Sequence, residues 1–244
     1  MAITGRDTFL GRVRGALGRS PGVPELDDAT HIGLAVEDVR RSADDVRREM
    51  SESGDALLDA ITESAAIAGW KVRRVASPED AADVVAEICS EAGATNVLRS
   101  DQDVFASIPV DAALESKGIT PGVATVGGAG DDIPTLKQAA FDADVGITGV
   151  DYAIAETGTV VLHPRKGLSR LVSLAPGRHI AILNWGDVLP SLDELFTLER
   201  ADFNDDAIEG SMNLISGPSR TGDIAAQIVE GIHGPFEVHL VIVG

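Results

Sequence analysis

The sequence predicts an α/β fold built on a largely parallel sheet. Apolar runs of strand length alternate with segments whose apolar residues recur at helical spacing along most of the 244 residues. Several runs, among them TVVLH (159–163) and HIAIL (179–183), are apolar on both faces, as central strands of a parallel sheet are. A chain of this length buries a full core. The opening stretch carries only helical signals, so a helical region over 1–55 and an α/β domain over 56–244 are expected.

Each element has its own signal. MAITGRDTFLGRVRGALGR at the N-terminus reads as an amphipathic helix, and helical spacing resumes from Leu34 to Ala68 with a break at SESGD (51–55). WKVRRVA (70–76) is strand-like. Ser77 is placed to cap the next helix, with Pro78 at its first position and Glu79 and Asp80 behind it, running to about Ala92. TNVLRS (95–100) is a strand, and a helical segment follows through Ser116. GITPGVATVGGAGDD (118–132) is a glycine-rich loop around a short strand, and a helix spans Pro134 to Asp142.

DVGITGVDYAIAETGTVVLHP (144–164) is the most strand-like part of the chain. A short helix around Arg170, a strand at HIAILNW (179–185) and a helix at LPSLDELFTLE (189–199) come next. The C-terminal part reads as a strand (212–218), a helix at DIAAQIVEGI (223–232) and a closing strand at FEVHLVIV (236–243).

Composition removes several functions. The net charge is −19, from 39 acidic and 20 basic residues, and only four of the basic ones are lysines. The acids are spread along the chain, which describes the hydrated surface of a halophile's protein. Such a surface repels nucleic acid and anionic membranes. No apolar run has the roughly 20 residues that span a bilayer, and the N-terminus lacks a signal-peptide h-region, so a cytoplasmic protein is expected. The single cysteine, Cys89, supplies neither a disulfide nor a cysteine-ligated cluster, and its setting is that of a small buried hydrophobe.

The common signatures of chemistry are missing. There is no G-x-G-x-x-G, no G-x-x-x-x-G-K-[ST] and no G-x-S-x-G. The five histidines have no metal-pair spacing, so no dedicated metal site is expected, and His163, His179 and His239 read as structural.

Two stretches stand out. In AETGT, Glu156 follows a strand and meets a glycine turn, with Thr157 and Thr159 on either side of Gly158. Such a carboxylate is costly unless paired, hydrogen-bonded or useful. It either projects into the cleft at the strands' carboxyl ends, with Gly158 admitting a ligand, or holds the turn through nearby backbone N–H groups. In ISGPSRTGDI, Ser216, Gly217, Pro218, Ser219, Arg220 and Thr221 lead from a strand into the expected helix, whose N-terminus is suited to an anion or to simple capping. Arg170 and His233 stand beside these stretches as further candidates, each with a salt-bridge or capping alternative.

GITGVDYAIAETGTVVL, SRLVSLAPGRHIAIL, NLISGPSRTGDI and GIHGPFEVHLVIV, in that order, resemble the LUD-domain family, and within it the lactate utilization protein C (LutC/YkgG type) group. The resemblance covers roughly 60–244. It implies a three-layer αβα domain similar to the NagB/RpiA/CoA-transferase-like fold. It also implies a place in a three-component system oxidising L-lactate to pyruvate, in which partner subunits hold the iron–sulfur clusters and this chain holds none.

By the same resemblance, Glu156, Thr157, Gly158, Thr159, Ser216, Gly217, Ser219, Arg220 and Thr221 occupy motif positions. Where the family reads T-A-D-I-E, this chain has Thr221-Gly222-Asp223-Ile224-Ala225. The expected function is that of an accessory subunit binding a small carboxylate, with Arg220 pairing the anion and Glu156 orienting a hydroxyl or acting as base. The rival readings are a stand-alone acyl- or phosphosugar-metabolising enzyme with Glu156 as nucleophile, and a scaffold without a live pocket.

Overall fold

The computed structural model describes residues 12–13, 15, 35–125, 133–204, 211–224 and 227–244. Of the expected N-terminal helix only residues 12, 13 and 15 are described, and they are helical; the rest of it and the glycines at 127, 128 and 130 lie outside these residues. The chain falls into two compact units, Met1–Val39 and Arg40–Gly244.

The larger unit is organised by a six-stranded sheet in the order β1-β12-β7-β4-β2-β3, every neighbouring pair parallel. Its strands are β1 (Lys71–Val75), β2 (Val97–Ser100), β3 (Pro121–Ala124), β4 (Val145–Gly149), β7 (Arg178–Asn184) and β12 (Glu237–Val243). A smaller sheet, β8-β5-β6-β9, is formed by β5 (Tyr152–Ile154), β6 (Thr159–Leu162), β8 (Val188–Leu189) and β9 (Asn213–Ile215). The helices are α1 (Val36–Glu52), α2 (Gly54–Ala68), α3 (Pro78–Glu91), α4 (Val104–Ser107), α5 (Val110–Ser116), α6 (Ile133–Asp142), α7 (Arg170–Leu174) and α8 (Leu192–Asn204).

Alternation along β7 and β12 sorts the core into two layers, because successive side chains of a strand point to opposite faces. Ile180, Ile182, Val241 and Val243 pack with Val85, Ile88 and Cys89 of α3 and Leu114 of α5. Ala181, Leu183, Leu240 and Ile242 pack on the other face with Leu57, Leu58 and Ile61 of α2 and Val160 and Leu162 of β6. The small sheet therefore shares a face of the main sheet with α2.

Local signals account for most boundaries. Ser77 caps α3, its Oγ accepting from the Asp80 N–H at 3.1 Å. Pro109 splits the expected helix before Ser116 into α4 and α5, since proline offers no N–H to continue it. Gly69, at φ 103°, ends α2 in the left-handed conformation, and the Trp70 N–H returns to the Ala65 carbonyl at 2.9 Å.

One expectation is overturned. Residues 223–232 do not form a helix; β10 (Arg220–Ile224) and β11 (Gln227–Glu230) form an antiparallel hairpin. Helical spacing in this stretch loses to tertiary ties. The Ser219 N–H binds the Pro235 carbonyl at 2.8 Å and the Gly231 N–H binds the Ser219 carbonyl at 3.0 Å, so both ends of the hairpin are held together. Gly222 is a poor helix residue, and Thr221 and Val229, paired across the ladder, are β-branched. No helix N-terminus therefore stands at Arg220 and Thr221, and His233 follows a strand.

The C-terminal half of α2 is a seat for two motif glycines. Gly158 (φ 63°) lies against the Ser64 and Ala65 backbone, and Gly217 (φ 94°) against the Ala68 carbonyl, so that a methyl at either would overlap the helix. Gly217→Ala is expected to lower unfolding stability by about 2 kcal/mol or more, from left-handed strain plus the clash. Gly186→Ala, which meets open space, should stay within about 0.5 kcal/mol. Urea unfolding of the two variants checks the contrast.

Candidate functional site

The two stretches singled out in the sequence come together. β6 and β9 pair antiparallel with Val160 opposite Ile215, which sets Thr159 beside Ser216. A hydroxyl chain results: Thr157 Oγ1 to Thr159 Oγ1 at 2.7 Å, and Thr159 Oγ1 to Ser216 Oγ at 2.7 Å. Thr159 is buried, whereas Glu156 and Thr157 are exposed at the tip of the β5–β6 turn. The Glu156 N–H binds the Pro190 carbonyl at 3.0 Å, which fixes the backbone and leaves the carboxylate facing outward.

The place of this cluster differs from the expected cleft at the strands' carboxyl ends. The Gly158 carbonyl accepts from the Trp70 indole N–H at 3.0 Å, and Trp70 immediately precedes β1. The turn therefore lies at the amino edge of the parallel sheet. The close approach that Gly158 permits is to α2.

The other motif residues gather at the same edge. Arg220 reaches toward Gly69 and donates from Nε to Glu230 Oε1 at 3.1 Å, both side chains about half exposed. Ser219 Oγ accepts from the His233 N–H at 3.3 Å. Beside them Glu237 binds Lys71 Nζ at 3.1 Å and accepts from His239 Nε2 at 2.7 Å. Burial pushes the Glu237 carboxyl up, but the His239 and Lys71 hydrogen bonds more than offset this and hold it below its usual range. Burial outweighs Glu237 at His239 and lowers its pKa, so the imidazole is neutral and donates from Nε2. Arg170 opens α7, which lies across β4 with Val172 against Gly146. Its side chain is exposed, and among the described residues no contact joins it to the hydroxyl chain.

The opposite, carboxyl edge carries a cluster that the sequence reading left as structural. His163, following β6, is clamped between two carboxylates: Nδ1 lies 3.2 Å from Asp151 Oδ2 and Nε2 lies 2.7 Å from Glu199 Oε1. The His163 backbone N–H donates to the same Asp151 oxygen at 2.7 Å. Arg165 grips Asp151 with two guanidinium nitrogens, at 2.8 and 3.0 Å. Only an imidazolium donates from both nitrogens, so the geometry favours the charged form.

The hydrogen bond to Asp151 is the main cause raising the His163 pKa, against the opposing effect of burial and with help from Glu199. Burial pushes Asp151 up, yet the bonds from His163 and Arg165 bring it down to about 2. The available signal was Asp151, two residues beyond the end of the apolar strand β4; the other partner of His163, Glu199, lies 36 residues further along the chain, and sequence spacing does not connect them.

His179 is the contrasting case. Full burial, reinforced by His239, lowers its pKa to about 3, so it stays neutral and meets Thr148 Oγ1 at 2.9 Å. Cys89 is inert for a similar reason: burial pushes the thiol up to about 12.

The His163 clamp has a pH signature. A raised folded-state pKa gives stability that is complete below the unfolded value near 6.5 and is lost as pH rises through the folded value. His163→Gln should therefore lose more stability, relative to the unsubstituted chain, at about pH 6 than at about pH 9, by on the order of 1 kcal/mol. Urea unfolding at the two pH values measures it. Asp151 acts at the other end, its contribution being lost only as pH falls from near 4 through about 2.

The LUD domain model matches residues 58–243. A protein of Halalkalibacterium halodurans named lactate utilization protein C is 29% identical over 98% of this chain and 97% of its own length. Lactate utilization protein C 1 of Bacillus mycoides is 30% identical over 78% of this chain and 80% of its own. A crystal structure of a DUF162 family protein from Deinococcus radiodurans superposes with a TM-score of 0.48 at 18% identity, covering 81% of this chain and 98% of that one. The match over 58–243 and the relatives aligned along most of the chain establish that it belongs to the LUD-domain family.

Proposed function

We propose that this chain is the accessory component of a lactate utilization system, binding a small carboxylate while partner subunits carry electrons on iron–sulfur clusters. The observation that carries the reading is its near full-length similarity to a protein named lactate utilization protein C. The donor chemistry is consistent: the one cysteine is buried with a raised pKa, so redox clusters belong on other subunits.

The carboxylate site is assigned to the amino edge of the sheet. Arg220 and Glu230 form an exposed pair, which contributes little and exchanges readily for an incoming anion. Its guanidinium would then take the ligand carboxylate in a bidentate bond. The hydroxyls of Thr157, Thr159 and Ser216 already share hydrogen bonds and offer a polar wall, with Glu156 placed to accept from a ligand hydroxyl. Gly158, Gly217, Ser219, Thr221 and His233 shape that edge, and Arg170 serves as a more distant cation.

The test is a pull-down of the tagged chain from its host in high salt, followed by L-lactate-dependent dye reduction. Co-purified iron–sulfur proteins and a rate that disappears when this chain is deleted are the expected result. Arg220→Gln should raise the half-saturating lactate concentration about tenfold, and Glu156→Gln should lower the rate about tenfold or more. A solitary protein, with lactate oxidation unchanged by its deletion, would contradict the proposal.

A further inference from the structure

Where β4 and β7 end side by side, an open cleft lies at the carboxyl edge of the sheet, away from the hydroxyl chain of Thr157, Thr159 and Ser216. It holds about 390 Å³, within the range of small-molecule sites. Arg47, Met50 and Ser51 of α1 form one wall, and Tyr152, the turn Trp185–Gly186–Asp187 and Leu198 of α8 form the rest. Ligands of open α/β sheets favour this position, outside the carboxyl ends of the strands.

The walls define a chemistry. Trp185 is 40% exposed, yet its indole is fixed: Gly54 and Gly244 approach so closely that a methyl at either would overlap the ring. A rigid aromatic surface is thus held open toward the cleft, beside the half-buried Tyr152. Arg47 lies 3.2 Å from Asp44 and 3.8 Å from Asp202, and all three side chains are solvent-accessible, so these pairs yield to a better partner. Asp187 accepts from Asn184 Nδ2 at 3.2 Å. Burial raises its carboxyl above the usual range despite that bond, and Asp151 adds to the rise. The cleft thus joins flat apolar walls to one exchangeable cation and one half-buried acceptor. Its volume is far more than a three-carbon acid fills.

The geometry points to a second ligand site here, for a flat aromatic carboxylate. The ring rests on Trp185 and Tyr152, the carboxylate meets Arg47 and Ser51, and a ring hydroxyl donates to Asp187. This site is independent of the carboxylate site at the amino edge, and neither depends on the other being correct.

The test uses the full chain in high salt, with 4-hydroxybenzoate as probe, read by titration calorimetry and tryptophan fluorescence. Saturable one-site binding that quenches fluorescence is expected, with the neutral 4-hydroxybenzamide about tenfold weaker. Arg47→Gln, a change at an exposed position that leaves the fold intact, should weaken the probe about tenfold or more. Trp185→Leu should abolish binding and quenching with the thermal melt still cooperative. No saturable binding, equal affinity for the amide, or affinity unchanged in both variants would overturn the assignment.

Discussion

One buried hydrogen bond joins the parts of this structure that sequence leaves far apart. The Trp70 indole N–H donates to the Gly158 carbonyl at 3.0 Å, across 88 residues of chain. Trp70 is 3% exposed and sits at the junction of α2 and β1, edge-on to His179 of β7 at 6.1 Å. The tip of the β5–β6 turn is thereby fastened to the amino edge of the main sheet. A carbonyl held this way is expensive to leave unsatisfied, by about 1–3 kcal/mol. Gly158 and Gly217 let the turn and the strand end β9 settle directly onto α2, and the hydroxyl chain from Thr157 to Ser216 follows from that seating.

The sheet consequently has two edges with different chemistry. At the amino edge lie a chain of hydroxyls, an exposed ion pair and an outward carboxylate. At the carboxyl edge, His163 is locked between Asp151 and Glu199 with Arg165 completing the charge balance. Groups paired this well are poor at exchanging partners, and removing any one strands the others in a half-buried setting. The clamp is therefore a brace for the start of β5, the end of β6 and α8, with the Trp185 cleft open beside it.

Much of the fold was legible because each signal was local. Apolar runs of strand length placed β7 and β12, Ser77-Pro78 placed the start of α3, and the glycine turn after Glu156 placed the boundary between β5 and β6. The hairpin at 220–230 was not legible, since its apolar spacing suits a helix and what decides against one is the tie of Ser219 to Pro235 and Gly231. The meeting of Thr159 with Ser216 depends on strand pairing between segments 57 residues apart, so sequence named both residues without showing that they touch. The His163 clamp and the wedging of Trp185 between Gly54 and Gly244 were hidden for the same reason: their partners come from separate elements.

The central claim is that Trp70 holds the motif-bearing turn to the sheet. Hydrogen–deuterium exchange on Trp70→Phe tests it most directly, since phenylalanine keeps an aromatic ring and deletes the donor. Faster exchange confined to residues 154–162 and 213–216, with β7 and β12 as protected as before, is the result this account requires. Unchanged exchange in the turn, or an even loosening of the whole sheet, would contradict it.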